Sequence, residues 1–321
     1  MNALLRRAGR LAVVLAVVTL ITFLLVAALP GDVALDIAGA DATEQEVAEI
    51  RAEIGLDRSL AVRYLDWVSG IVTGDWGQSW RTGERVWDAI AQRVPASLEL
   101  MVLAQIIAVS LAIPAALLCA RAPDGRVDRA IGFLAFGSVS MPSFMTAVLL
   151  ILLFSLTLGW LPATGYEPLS AGLWENLRPM ILPALSLALV EWTALMRTLR
   201  AEMIGVLQEN YIALARAKGM SDRRILVVHA LRPSSFSMIT LLGLQVGRLM
   251  GGSIIIEQIF GIPGVGRLLV TSVFSRDFMM IQGCVTFFAL AYVLANFCTD
   301  LAYARLDPRV RGLGGKAGAH G

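Results

Sequence analysis

"NYIALARAKGMSDRRILVVHALRPS", Asn210 to Ser234, carries Arg216, Lys218, Arg223, Arg224 and Arg232 and is flanked by two apolar runs, 180–199 and 235–259. Each flanking run is long enough to cross a bilayer, so the stretch reads as a basic loop between two membrane helices. Within it, "NYIALARAKG" reads as a short helix containing Ala213, Ala215 and Ala217 and stopped by Lys218-Gly219. A glycine just past the last turn takes left-handed backbone at little cost. Small side chains let another surface approach the backbone closely. On these residues alone, the helix serves equally well as a docking surface for a soluble partner or as an ordinary positively charged loop.

Working outward, the whole chain shares the apolar character of those flanks. Hydrophobic residues make up 57% of the 321 and charged residues 16%, and the mean hydropathy is +0.70. Soluble domains carry about 25% charged residues. The composition predicts an all-α, polytopic membrane protein with six transmembrane helices at 11–29, 97–120, 131–159, 180–199, 235–259 and 279–303. The run Leu11 to Leu29 follows Arg6, Arg7 and Arg10, which invites comparison with a secretory signal peptide. It exceeds the roughly 7–15 residue core of such peptides, and "VAALPGD" offers no clean A-x-A cleavage site, so a retained span is expected.

Lysine and arginine set the orientation. With both termini cytoplasmic, the inner segments hold 17 of the 27 basic residues and the outer segments hold 9, with Arg248 inside a span. Six of the seven tryptophans (Trp67, Trp76, Trp80, Trp87, Trp160 and Trp174) then fall on the outer side, where amphipathic rings favour the interface. A net charge of +2 gives no reason to expect nucleic acid as a partner. Cys119, Cys284 and Cys298 are far apart and lie in or beside spans, which suggests neither a disulfide framework nor a metal cluster.

The expected organisation is a tail and first span (1–30), a small extracytoplasmic helical cap (31–96), a five-helix core (97–304) and a cytoplasmic, disordered tail (305–321). In the cap, Thr43 and Glu46 fit a capping box and Gly55 suits a helix stop. "LAVRYLDWVSGIV" reads as a second amphipathic stretch. Pro114, Pro142 and Pro183 mark kinks within or near spans, and Gly243, Gly247 and Gly251 recur every four residues as a helix-packing face.

Ionisable groups inside a span are costly and face a bundle interior or a cavity. Glu191 and Arg248 both fall at a depth of about 16 Å, at 1.5 Å rise per residue, so they can meet either as a structural ion pair or as groups lining a translocation pathway, with Gln245 nearby. The chain has no P-loop: its one Gly-Lys, Gly315-Lys316, is followed by Ala317. With two histidines and no nucleophile-base arrangement, no enzyme chemistry is indicated, and no cofactor or metal site. A proton-coupled secondary transporter using Glu191 and Asp300 is an alternative class, although no inverted repeat supports it. A membrane-anchored sensor, its outer segment binding ligand, is another.

Ten short motifs add a resemblance. "LPGD" (Leu29–Asp32), "GLD" (Gly55–Asp57), "GDWGQS" (Gly74–Ser79), "RVPASLEL" (Arg93–Leu100), "SMP" (Ser140–Pro142), "LPA" (Leu182–Ala184), "GLQVG" (Gly243–Gly247), "EQIFGIPGVGRL" (Glu257–Leu268), "RD" (Arg276–Asp277) and "DPRVR" (Asp307–Arg311) surround the 210–234 segment. In that order they resemble the ABC importer permeases of the oligopeptide, dipeptide and nickel transport family, and the loop after the first span resembles the first, B-type permease. Tyr211, Ala213, Ala215, Arg216, Ala217, Lys218 and Gly219 then match the family's cytoplasmic coupling helix, except that Ala213 stands where the general Glu-Ala-Ala pattern has its glutamate. The resemblance implies a prokaryotic inner-membrane subunit working with a second, C-type permease, two cytoplasmic ATPases that hold ATP and Mg, and an extracytoplasmic substrate-binding protein. Peptides are the implied substrate, with nickel chelates, glutathione or haem as alternatives.

Overall fold

The computed structural model describes residues 2–28, 33–39 and 41–306. The "LPGD" and "DPRVR" motifs and the Gly-rich tail fall outside the described residues. Every regular element described is a helix, apart from one isolated antiparallel bridge between Gln78 and Arg85. In hydrocarbon each backbone N–H and C=O must be satisfied by the protein, and a helix does this within its own segment.

In order, the helices are α1 (Asn2–Ala27), α2 (Val33–Ala38), α3 (Glu44–Glu53), α4 (Leu60–Thr73), α5 (Val86–Arg121), α6 (Arg126–Ser140) and α7 (Ser143–Leu150), which continues as a π-helical turn, Ile151–Thr157. They are followed by α8 (Leu173–Leu207), α9 (Asn210–Ala217), α10 (Asp222–Arg224) with a second π-helical turn (Ile225–Ala230), α11 (Leu231–Phe260), α12 (Val265–Phe274) and α13 (Phe278–Leu306). Among the described residues, four stretches are long and apolar enough to cross a membrane: Val86–Arg121, Leu173–Leu207, Asp222–Phe260 and Phe278–Thr299. The apolar part of α1, Val13–Ala27, is shorter.

The expected span over 131–159 is sharply bent in the structure. The chain turns by 104° between α6 and α7, so this region is a bent pair that makes a fifth crossing only if both arms count as one. Pro142 is the cause: its ring disfavours helical backbone in the preceding residue, and Met141 is extended at φ −104°, ψ 126°. Pro179 and Pro183 leave α8 unbroken. The helix that carries the expected second span begins earlier than the apolar run, because α5 runs unbroken for 36 residues from Val86. At 1.5 Å per residue that is about 54 Å, well beyond the hydrocarbon thickness.

The chain divides into two compact units, Met1–Pro95 with Gly264–Val293, and Ala96–Pro263 with Leu294–Gly321. In the first, the 31–96 segment expected to form a small helical cap packs with residues far away in sequence. Trp76, Val86, Ala89 and Ile90 are buried against Val265, Leu268, Met280 and Cys284. The capping box is present: Thr43 N–H donates to Glu46 Oε2 at 2.8 Å and Glu46 N–H to Thr43 Oγ1 at 3.3 Å. The Thr43 N–H, together with the Thr43 hydroxyl at 2.9 Å from Oε2, holds the Glu46 carboxyl below its ordinary pKa. Phe23 of α1 stacks on Trp67 of α4, and Thr19 bonds the Tyr64 hydroxyl at 3.1 Å.

The "GDWGQS" and "RD" motifs meet in this unit. Ser79 Oγ donates to the buried Asp277 carboxylate at 2.5 Å and accepts the N–H groups of Arg81 and Thr82 at 3.2 and 3.0 Å. Asp277 also receives the Met280 N–H at 3.3 Å. One hydroxyl therefore closes a turn and anchors it to a segment 198 residues away. Ser79→Ala removes a donor from a buried carboxylate and should cost about 1–3 kcal/mol. The expected result is an earlier thermal transition in tryptophan fluorescence, which Trp76 and Trp80 report from the same turn.

Candidate functional site

Within the second unit, the basic segment that starts at Asn210 folds as a helix and a capped turn. Helix α9 ends in a Schellman arrangement: Gly219 N–H reaches the Arg216 carbonyl at 2.9 Å and Met220 N–H reaches that of Ala215 at 3.2 Å. Gly219 takes φ +76°, the left-handed value that the stop requires. Ile212 and Ala215 are buried together with Ile225, with Leu207 and Met220 packed around them. Tyr211 is exposed, and its hydroxyl donates to the His229 carbonyl at 3.2 Å in the second π-helical turn.

The three alanines divide between two faces. Ala213 and Ala217, one turn apart, are exposed with Leu214, Arg216, Lys218 and Gly219, whereas Ala215 is only 8% exposed. A two-residue step turns about 200° around a helix. Ala215 therefore packs into its own chain, and the expectation that it offers a small side chain to a partner is corrected. Arg216 and Asp222 line a cavity of about 230 Å³ with Arg121, Leu207 and Ile225, which puts the α5–α6 loop at the same end of this unit as α9. At other points in the unit, Gly165 N–H bonds the Phe260 carbonyl at 3.0 Å and the Tyr166 hydroxyl donates to Glu99 at 3.2 Å.

The structure also brings together three of the polar residues expected inside spans. Arg248 Nη2 donates to Glu191 Oε2 at 2.9 Å, and Gln245 Nε2 donates to the Glu191 backbone carbonyl at 3.0 Å. The side chain of Glu191 is 8% exposed and that of Arg248 is 57% exposed. The carboxylate is thus enclosed, while its cation has a second, open side. Of the glycines of α11, Gly243 lies so close to Thr299 that an added Cβ would fall 2.3 Å from its hydroxyl, whereas Gly251 meets nothing within 4 Å. Gly243 permits a close helix contact within the chain; Gly251, expected on the same packing face, is exposed. Gly247, between them, is partly buried. Asp300 is on α13 but outside the residues whose side chains are described.

The family model for the binding-protein-dependent transport system inner membrane component matches residues 112–312, and that for the N-terminal part of such membrane components matches residues 1–101. The chain belongs to this permease family. It is 40% identical over 308 residues to a Brucella abortus (strain 2308) protein named as a peptide transport system permease, covering 96% of this chain and 98% of that one. The oligopeptide transport system permease protein AppB of Bacillus subtilis (strain 168) is 35% identical, covering 91% and 94% of the two chains. The glutathione transport system permease protein GsiC of Escherichia coli (strain K12) is 37% identical, covering 97% and 99%. Among solved structures, a chain of the MetNI methionine ABC transporter in inward-facing conformations aligns with TM-score 0.55 at 14% identity, over 68% of this chain and 95% of that one. That likeness is one of fold.

Two features of the permease escaped the sequence reading. Ala104, Ala108, Ala112, Ala116 and Ala120 form a ridge along α5, each no more than 2% exposed. The four-residue alanine repeat was the available signal, and it marks a close helix contact more consistently than the glycines do. Arg200 makes a two-pronged pair with the buried Asp128, its Nε 2.8 Å from Oδ1 and its Nη2 2.5 Å from Oδ2. In the first unit, a cavity of about 870 Å³ is lined by Phe23, Arg63, Asp66, Trp67, Gln78 and Met279. Arg63 reaches over the Phe23 ring, 5.8 Å from its centroid.

The enclosed carboxylate allows a direct test of the Glu191–Arg248 pair. Arg248→Gln strands a charge whose side chain is 8% exposed, while Glu191→Gln strands the more open cation. Allowing for the exposure of Arg248, the first should cost about 1–3 kcal/mol and the second less. The double variant should recover most of the loss, read as melting temperatures of the purified permease and combined as a double-mutant cycle.

Proposed function

We propose that this chain is one permease half of an ATP-driven, binding-protein-dependent importer of peptides in a bacterial inner membrane. It works beside a second permease, with two cytoplasmic ATPases carrying ATP and Mg and an extracytoplasmic binding protein delivering substrate. The names of the relatives support peptide cargo, and glutathione, itself a small peptide, lies within the same chemical range. Nickel chelates and haem remain the more distant alternatives.

Helix α9 is the observation that carries this reading. It exposes Tyr211, Ala213, Leu214, Ala217 and Lys218 at the junction of two long apolar helices, while its opposite side is pinned by Ile212 and Ala215. A partner that grips the exposed side moves a helix that cannot turn independently of its own chain. In the proposed cycle, ATP closes the ATPase pair, α9 follows, and the helices on either side tilt to change which face of the membrane the pathway opens to. The ATP-bound ATPases must bind the two permease states with different affinity, because only differential binding shifts the equilibrium. Arg248, open on one side in mid-membrane, is the proposed contact for a peptide carboxylate in the pathway.

Ala217→Trp puts a bulky ring on the exposed face without entering the buried one. In proteoliposomes holding the complete complex, it should lower ATP-dependent uptake of a labelled dipeptide more than tenfold while the permease keeps its melting temperature. Ala215→Trp should instead lower the melting temperature, because it overpacks the Ile212–Ile225 contact. Normal uptake by the Ala217 variant, or uptake by a complex lacking ATPases, would remove the docking role. Competition with glutathione, nickel and haem ranks the cargo.

A further inference from the structure

A third polar cluster occupies the second unit, apart from α9 and from Glu191. A cavity of about 360 Å³ lies between α6 and the later turns of α8. Arg129, Arg197 and Arg200 line it together with Asp128, Ala135, Phe136 and Met196. Arg200 is neutralised by Asp128, with Asp124 3.9 Å away. Arg129 gives its Nε to the Asp124 carbonyl at 3.1 Å. Neither Arg129 nor Arg197 has a carboxylate within 4.0 Å among the described residues, so the groove holds two uncompensated positive charges.

The placement of these residues along the helices is equally informative. The apolar runs read from the sequence start at 131 on α6 and end at 199 on α8, so all three guanidinium groups belong to one membrane boundary. On the membrane side of that boundary Ala135 and Met196 are buried and form the floor, and Phe136, 72% exposed, is the apolar surface. The groove is therefore cationic at headgroup level and apolar at acyl level. A peptide carboxylate would be served by the arginines but would leave the apolar half empty.

We propose that this groove is a binding site for an anionic glycerophospholipid, its phosphate held by Arg129 and Arg197 and an acyl chain lying along the exposed ring of Phe136. A planar guanidinium matches phosphate oxygens two at a time. Basic pockets between membrane helices select anionic headgroups, and each arginine near the surface contributes about fivefold in affinity. The inference needs only the membrane boundary and stands apart from the transport reading.

The test uses the full-length permease in mixed phosphatidylcholine and phosphatidylglycerol vesicles, with spin-labelled lipids reporting relative association. The wild type should prefer phosphatidylglycerol, and the preference should fall about fivefold in each of Arg129→Gln and Arg197→Gln. Gly132→Phe is an independent variant: an added Cβ at Gly132 meets nothing within 4 Å, so the ring can fill the groove with both charges kept. It should abolish the preference without lowering the melting temperature. Unchanged preference in the Gly132 variant and in the glutamine variants would overturn the proposal. So would equal displacement of the label by inorganic phosphate, or a loss of labelled dipeptide binding with lipid preference intact.

Discussion

A helix in hydrocarbon has no water with which to satisfy a broken backbone bond, so each departure from regular geometry has to be repaired by nearby groups. At the Met141–Pro142 break, the Pro142 carbonyl takes the N–H groups of Met145 and Thr146 at 3.0 and 3.1 Å, and Ser140 Oγ donates back to the Phe136 carbonyl at 2.9 Å. In the first π-helical turn, Thr157 Oγ1 caps the Leu152 carbonyl at 2.7 Å and Leu158 N–H reaches Leu153 at 3.0 Å. In the second, which precedes the expected span over 235–259, the Tyr211 hydroxyl from α9 supplies the His229 carbonyl. That last repair differs in kind, because the donor belongs to another helix. The π turn and the exposed helix are coupled through a hydrogen bond that neither element makes alone.

Burial in the second unit follows from the same economy of polar groups. Ala108, Ala112, Ala116 and Ala120 of the α5 ridge lie in one core with Leu195, Leu199 and Met203 of α8, and α8 is the most enclosed of the long apolar helices. Close backbone approach supplies dispersion contact where lipid and side chain are equally apolar and the hydrophobic effect gives little. An ionised residue in such a helix is tolerated only with its partner beside it. Glu191 has Arg248 on its carboxylate and Gln245 on its carbonyl. The open side of Arg248 is the part of this cluster that packing does not account for.

Much of this was legible in sequence because it is local or compositional. Apolar run length, the Thr43–Glu46 capping box and the Gly219 stop each depend on a few neighbouring residues. The depth of Glu191 and Arg248 could be counted from the run ends. What was hidden depends on distant partners. Ser79 and Asp277 are 198 residues apart, and Arg200 and Asp128 are 72 apart, with no pattern to pair them. Pro142 and Pro183 look alike in sequence, yet α8 continues through the second and the chain turns 104° at the first. Helical phase was the remaining difficulty: "ALARA" lists its alanines in a row, and only the burial of Ile212 and Ile225 decides which face Ala215 takes.

The connection between α9 and the intramembrane pair is short and stiff. Two residues, Gln208 and Glu209, separate the end of α8 from the start of α9. On the other side, four residues lead into a continuous helical stretch from Asp222 to Phe260. Glu191 is near the middle of the first long helix and Arg248 is in the second. A displacement applied at α9 therefore acts on both ends of the same ion pair through helices too short-linked to absorb it in a loop. Because the Glu191 carboxylate is enclosed and Arg248 is open, the two helices share a contact that is expensive to break and has room to rearrange on one side only.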